Sequence, residues 1–332
     1  MVEPDDNLAG LRAAIRRRFG AGAEITNFEQ PTLGGSSRTI LFDLVQGASR
    51  RRLVSRQVTV TGAGNPFLPA ADQFRVMNLV HCHGFPVPEP VFGYDAQDGL
   101  GEGFVCAAVS GETMPKRLLA GASFTDLRGR LAAQCGELLA RLHATDPAEA
   151  DFLAAAPDSA DPLAAQASYL DSYGEAHPAI EFGLRWLVRN RPPPGPRVLL
   201  HGDFRIGNLM IGPEGIRAVL DWEGSHLGTP AEDLGWLCTR SWRFGHVDRI
   251  VGGFGTLDDL LRAYTQAGGR RIDPEEVRYW SIFGLARWAV LNVMQAYGHM
   301  TGARASPVYA ACGRNTCLVE YDLLMTLAGH YQ

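Results

Sequence analysis

The chain has 332 residues, 46% of them hydrophobic, and a formal net charge of −5. That size and apolar content suit one large globular domain or two smaller ones and exclude a disordered or fibrous chain. The charge argues against a general nucleic-acid binder, which needs a basic surface.

The first residues, Met1 to Asp6, are acidic and lack an apolar leader segment, and no apolar run approaches the length that spans a bilayer. A soluble, cytoplasmic protein without a membrane partner is expected. Apolar residues at Leu8, Leu11, Ile15 and Phe19 predict a helix closed by Gly20. Residues 25–30, 39–45 and 52–60 read as strands. Between the first two lies Gly34-Gly35-Ser36-Ser37, whose small side chains leave backbone N–H groups open, as a phosphate cover requires; a plain hairpin turn has the same composition. In the third strand Arg56 stands among apolar neighbours and needs a partner or a ligand. A helix over 70–80 follows, with Gln73 as its inward polar residue, then an extended run through the prolines of 84–90. The adjacent His81, Cys82 and His83 point different ways and form no metal site. The six cysteines show no CxxC-type spacing and read as free thiols.

After a strand over 104–109, the break at Ser110 to Thr113 divides the chain into an N-terminal part, 1–111, and a helical part, 112–332. Leu127, Leu131, Cys135, Leu138, Leu139 and Leu142 mark a buried amphipathic helix ending at His143, read as a core or capping histidine. Residues 144–161, rich in Ala, Asp and Pro, read as a mobile connection; helices are predicted over 162–173 and 181–190.

The central stretch is HGDFRIGN at 201–208, followed by VLDWE at 219–223. Residues 208–211 and 216–220 read as strands of a hairpin; with Ile211 opposite Ile216, Asn208 falls opposite Val219, so Asn208 and Asp221 emerge at the same open end, with Asp203 in the entering loop. Two oxygen donors there suit Mg²⁺, which completes its shell with phosphate and water, and the remaining carboxylate is free to take a proton from a hydroxyl.

These motifs, with GTPAEDLGW at 228–236, resemble the aminoglycoside phosphotransferase family, within it the branch also found fused to some acyl-CoA dehydrogenases. The resemblance implies an α+β, protein-kinase-like fold with a small antiparallel-sheet lobe and a larger, mainly helical lobe. It implies a small-molecule kinase using ATP or GTP and Mg²⁺ to phosphorylate a hydroxyl. By position Asp203 matches the catalytic aspartate and Asn208 and Asp221 the metal ligands. Gly34 to Ser37 match the phosphate loop, and His201 and Asp233 the residues that buttress the catalytic loop; Glu223 matches a second-metal, water or structural position. Arg56 stands at the usual strand lysine and Gln73 at its helix glutamate, which keeps a non-catalytic nucleotide-binding module as an alternative. A metal-dependent phosphohydrolase is a third reading, short of the ligands of two-metal sites. For the acceptor, Asp258-Asp259 and Glu275-Glu276 are two modest acidic candidates for a polycation and neither forms an acidic stretch, whereas Arg287 suits an anionic group. A metabolic alcohol, apolar or acyl-linked, is therefore expected. The aromatic residues of 275–301 read as core.

Overall fold

The computed structural model describes residues 4–30, 37–58 and 66–331. Helix α1 (Pro4–Phe19) precedes strands β1 (Glu24–Glu29), β2 (Ser37–Gln46) and β3 (Ser49–Val58); α2 (Ala70–Cys82), β4 (Pro90–Gly93) and β5 (Gly103–Ala107) follow. The five strands form one antiparallel sheet in the order β1-β2-β3-β5-β4. Strand periodicity assigns its faces. Leu53 and Val105 join Leu11 and Ile15 of α1 and Phe42 and Leu44 of β2 in one small core. Phe104 and Cys106 point the opposite way and join Val76, Met77 and Val80 of α2 in the larger core. Val54 and Val58 pack toward that second side. Arg56, in step with them, therefore faces the cleft between sheet and helices.

The helical part runs through α3 (Pro115–Ala120), α4 (Thr125–His143), α5 (Pro157–Ala160), α6 (Pro162–Ser172), α7 (Pro178–Arg189), α8 (Pro230–Cys238), α9 (Leu257–Gln266), α10 (Pro274–Met300) and α11 (Pro307–Leu327). Two small sheets interrupt it: β6 (Val198–Leu200) with β9 (His226–Gly228), and β7 (Leu209–Gly212) with β8 (Gly215–Val219). The two parts of the chain meet beside the break at 110–113, where Glu112 pairs with Ile211 of β7 through both backbone N–H groups. No helix among the described residues is long and apolar enough to cross a membrane.

Two expectations are corrected. The segment 144–161 is ordered rather than loose: it forms a 3₁₀ turn at Pro147–Leu153 and then α5, with Asp158 and Ser159 buried. Asp158 accepts from Gln166 at 3.0 Å and Ser159 Oγ from the Leu227 N–H at 2.8 Å. Its polar residues satisfy buried neighbours, which composition does not reveal. The 207–221 hairpin also slips by one residue. Ile211 does face Ile216, but an irregularity at Arg217 puts Leu209, not Asn208, opposite Val219. Asn208 then meets Leu220, whose N–H it accepts at 2.8 Å, and Asn208 and Asp221 still leave the same end.

Helices α4 and α9 cross at Gly136, where an added Cβ would stand 2.4 Å from the Leu260 carbonyl oxygen. Gly129, on the same helix, has nothing within 4 Å. Gly136→Ala should lower unfolding free energy by about 1–3 kcal/mol, and Gly129→Ala should raise it by roughly 0.5–1 kcal/mol. Equal effects in urea denaturation would contradict this packing.

Candidate active site

Strand β6 delivers the chain to His201 inside the helical core, and the next residues turn sharply. Gly202 adopts φ +75°, and a Cβ there would lie 2.0 Å from the Gly224 carbonyl oxygen, so no other side chain fits. The turn is held from below by Asp233 on α8. Its Oδ2 accepts the His201 N–H at 2.8 Å and its Oδ1 the Gly202 N–H at 2.9 Å. His143 completes the support: its Nε2 lies 3.3 Å from Asp233 Oδ2 and its Nδ1 3.0 Å from the Tyr264 hydroxyl. Burial pushes the Asp233 carboxyl upward, but the bond and charge of His143 and the backbone donor outweigh it and hold the pKa below its usual value.

His201 links the loop to the residue after β8. Its Nδ1 accepts the Asp203 N–H at 3.1 Å, which leaves Nε2 as the protonated nitrogen, donating to the Leu220 carbonyl at 2.9 Å. Burial lowers its pKa, in keeping with a neutral ring whose second nitrogen must remain an acceptor. Trp222 packs against that ring at a tilt, 4.6 Å between centroids, meets Phe85 edge-on and donates from its indole to the Val219 carbonyl.

The three acidic and amide groups of the loop converge. Asp203 Oδ1 accepts from Arg205 Nε at 2.9 Å and from the Trp236 indole at 2.8 Å, while Asp203 Oδ2 accepts from Asn208 Nδ2 at 2.6 Å. The same nitrogen donates to the Asp203 carbonyl at 2.9 Å, which turns the Asn208 oxygen away as the free donor atom. Asp221 sits in the left-handed region, φ 68° and ψ 68°, uncommon for a residue with a side chain and held by its neighbours. Its Oδ1 receives Arg56 Nη2 at 2.8 Å, and the same nitrogen lies 3.2 Å from Ser37 Oγ. Burial raises the Asp221 pKa, but Arg56, then Arg205, bring it below normal. Arg56 is shifted upward: Asp221 and Glu223 outweigh its desolvation.

Gln73 does not meet Arg56. It is buried on α2 and donates to the Leu68 carbonyl at 2.8 Å, so its amide closes the loop before its own helix. Glu223 lines the same cavity, and its carbonyl accepts the Leu68 N–H. Gly34, Gly35 and Ser36 lie outside the described residues, and Ser37 opens β2 beside Arg56. Arg205 escaped the sequence reading, although a cation two residues after the loop aspartate was its signal; its guanidinium lies over Trp242 at 4.8 Å. Arg287, buried on α10, donates to the Gly202 carbonyl at 2.8 Å and lies over Trp236 at 5.1 Å.

Ser37, Arg56, Asp203, Arg205, Asn208, Asp221, Glu223, Trp236 and Arg287 line one cleft of about 610 Å³, which Gln73, His201 and Asp233 do not. One end is framed by Leu41, Val54, Phe104, Met210 and Leu220, the other by Trp236, Trp288, Leu291 and Tyr309. The donors fit a hard divalent cation: an amide oxygen and a carboxylate stand together, and among the described residues no group of three His, Cys, Asp or Glu side chains offers a softer or denser site.

A five-stranded antiparallel sheet capping a helical part, with a polar cleft between them, is the architecture of the phosphotransferase and choline kinase structures. The chain belongs to the phosphotransferase enzyme family (APH), whose profile matches residues 28–280, a family of small-molecule kinases. Mouse acyl-CoA dehydrogenase family member 10 is 29% identical over 293 residues, 80% of this chain and 27% of that protein; human family member 11 is 30% identical over 179 residues, 50% and 23%. The chain thus spans about a quarter of the length of these relatives. Among solved structures, a Ralstonia eutropha protein provisionally assigned as an aminoglycoside phosphotransferase shares 22% identity and a TM-score of 0.68, covering 98% of this chain and 99% of that one. Choline kinase LicA from Streptococcus pneumoniae shares 14% identity and a TM-score of 0.56, with 94% and 99% covered. At those identities the likeness is one of fold, and it includes the antiparallel sheet and the helical part.

Asp233→Asn would turn an amide N–H toward backbone donors. It should cost about 2–3 kcal/mol in urea denaturation; a loss below about 0.5 kcal/mol would show that the loop does not depend on this carboxylate.

Proposed function

We propose that the protein is a kinase that transfers the γ-phosphoryl group of ATP or GTP to a hydroxyl of a small metabolic molecule. The observation that carries this reading is the convergence of Asp203, Asn208 and Asp221 in one cleft opposite Arg56. In this reading residues 1–111 hold the nucleotide, with Arg56 and the Gly34–Ser37 turn at the phosphates, and residues 112–332 supply the catalytic loop and the acceptor wall.

Asn208, through its amide oxygen, and Asp221 would hold Mg²⁺, which when bound supplies charge neutralisation at the phosphates. Asp203 orients the acceptor hydroxyl and takes its proton as the oxygen attacks phosphorus and the bond to the departing diphosphate breaks. Arg205 and Trp236 fix the carboxylate by occupying Oδ1, leaving the Oδ2 edge, beside Asn208, to meet the hydroxyl. Glu223, on the cleft wall, suits a water or second-cation contact. His201 and Asp233 act only through the loop, and Gln73 through the turn before α2.

The acceptor wall disfavours a polycation. Asp259 is engaged by Thr256 and Arg262, Glu276 by Arg270, and neither these residues nor Asp258 and Glu275 line the cleft. A metabolic alcohol with an apolar or acyl-linked body suits the aromatic lining better. The Arg56–Asp221 pair favours one other reading, a non-catalytic nucleotide-binding module, because it engages a carboxylate the metal would use.

Asp203→Asn should lower turnover by roughly a hundred- to ten-thousandfold while nucleotide affinity stays near the parent value, measured by nucleotide consumption and thermal shift. Full activity in that variant would remove Asp203 as base. Stabilisation by nucleotide that ignores Mg²⁺, with no turnover on any hydroxyl compound, would select the module.

A further inference from the structure

Arg287 is buried at 6% exposure, yet among the described residues it forms no ion pair. Its single hydrogen bond there runs from Nη1 to the Gly202 carbonyl, and one of its faces rests on the Trp236 ring. A guanidinium has five donors, and a buried cation without a counter-ion is costly. Holding one carbonyl does not require it, since a neutral donor would serve. The side chain lines the cleft that holds Asp203, between Trp236 and Trp288, with Leu291 one turn further along α10.

We infer that the acceptor is an alcohol carrying its own anionic group, a carboxylate or phosphate, which pairs with Arg287 while an apolar body lies on Trp288, Leu291 and Tyr309. This rests on the kinase reading and narrows its substrate class. The planar fork of an arginine matches either anion bidentately, and the aromatic wall offers apolar area on the acceptor side of the loop aspartate. Gln295 also lines this cleft, one turn beyond Leu291 on the same helix.

The test is calorimetric titration of the full chain, with and without Mg²⁺ and a non-hydrolysable ATP analogue, using hydroxydecanoate, a hydroxydecyl phosphate, neutral decanediol and the polycation kanamycin. The carboxylate or the phosphate should bind about ten- to a hundredfold more tightly than the diol, and kanamycin should not bind. The two anions tell which group Arg287 prefers. In Arg287→Met, of similar volume and uncharged, the anion's advantage should vanish while nucleotide still binds. Trp288→Ala, which leaves the charge in place, should weaken the anions and the diol alike and keep the preference. Binding of the diol or of kanamycin as tight as that of both anions, or no binding of either anion, would overturn the inference. A Mg²⁺-dependent thermal stabilisation by nucleotide in the parent protein tests the kinase reading separately: its presence leaves that reading standing when the anions fail, and its absence removes that reading whatever the anions do.

Discussion

The carboxylate of Asp233 is the constraint on which the rest of the site depends. Two consecutive N–H groups, of His201 and Gly202, have no strand partner at the point where β6 ends, and both are satisfied by one buried acid on the neighbouring helix. With the turn fixed, His201 can join the loop to the end of β8, accepting from Asp203 and donating to Leu220. Asp203 and Asn208 then lock each other through the amide nitrogen. Removing the anchor would loosen every one of these bonds, though Asp233 itself does not line the cleft.

A second interaction crosses the cleft. Arg56 belongs to the sheet and Asp221 to the helical part, and their 2.8 Å pair joins the two. Arginine is longer than lysine and has a fixed planar fork, so it can hold a carboxylate and still present donors to phosphate oxygens. Asp221 keeps its strained backbone because Trp222, wedged against His201 and Phe85, leaves it no freedom to relax. Arg205 and Arg287 add two more cations, each laid on a tryptophan. The cleft is therefore rich in guanidinium beside the loop, where an enzyme for a polycation would need acids.

Much of this was legible in the sequence because it rests on periodicity. Alternation along Leu53 to Val58 is enough to send Arg56 to the cleft face, and the apolar spacing of 127–142 to bury α4. The loop motif alone places Asp203, Asn208 and Asp221 together. What stayed hidden depends on neighbours distant in sequence. The one-residue slip at Arg217 has no local signal, and β9 is too short, His-Leu-Gly, to show a pattern. Gln73 looks free to reach Arg56 until Leu68 is seen to take its amide. The order of 144–161 depends on Gln166 and Leu227, and Arg205 was masked by the better-known residues beside it.

In the proposed mechanism Asn208 and Asp221 serve the metal and Asp203 the acceptor. Electron paramagnetic resonance of Mn²⁺ in place of Mg²⁺, titrated into the nucleotide-bound protein, tests it most directly. Asn208→Leu and Asp221→Asn should each weaken Mn²⁺ binding by at least about tenfold, and Asp203→Asn should leave it within about threefold. Equal weakening by Asp203→Asn and Asp221→Asn would contradict the account.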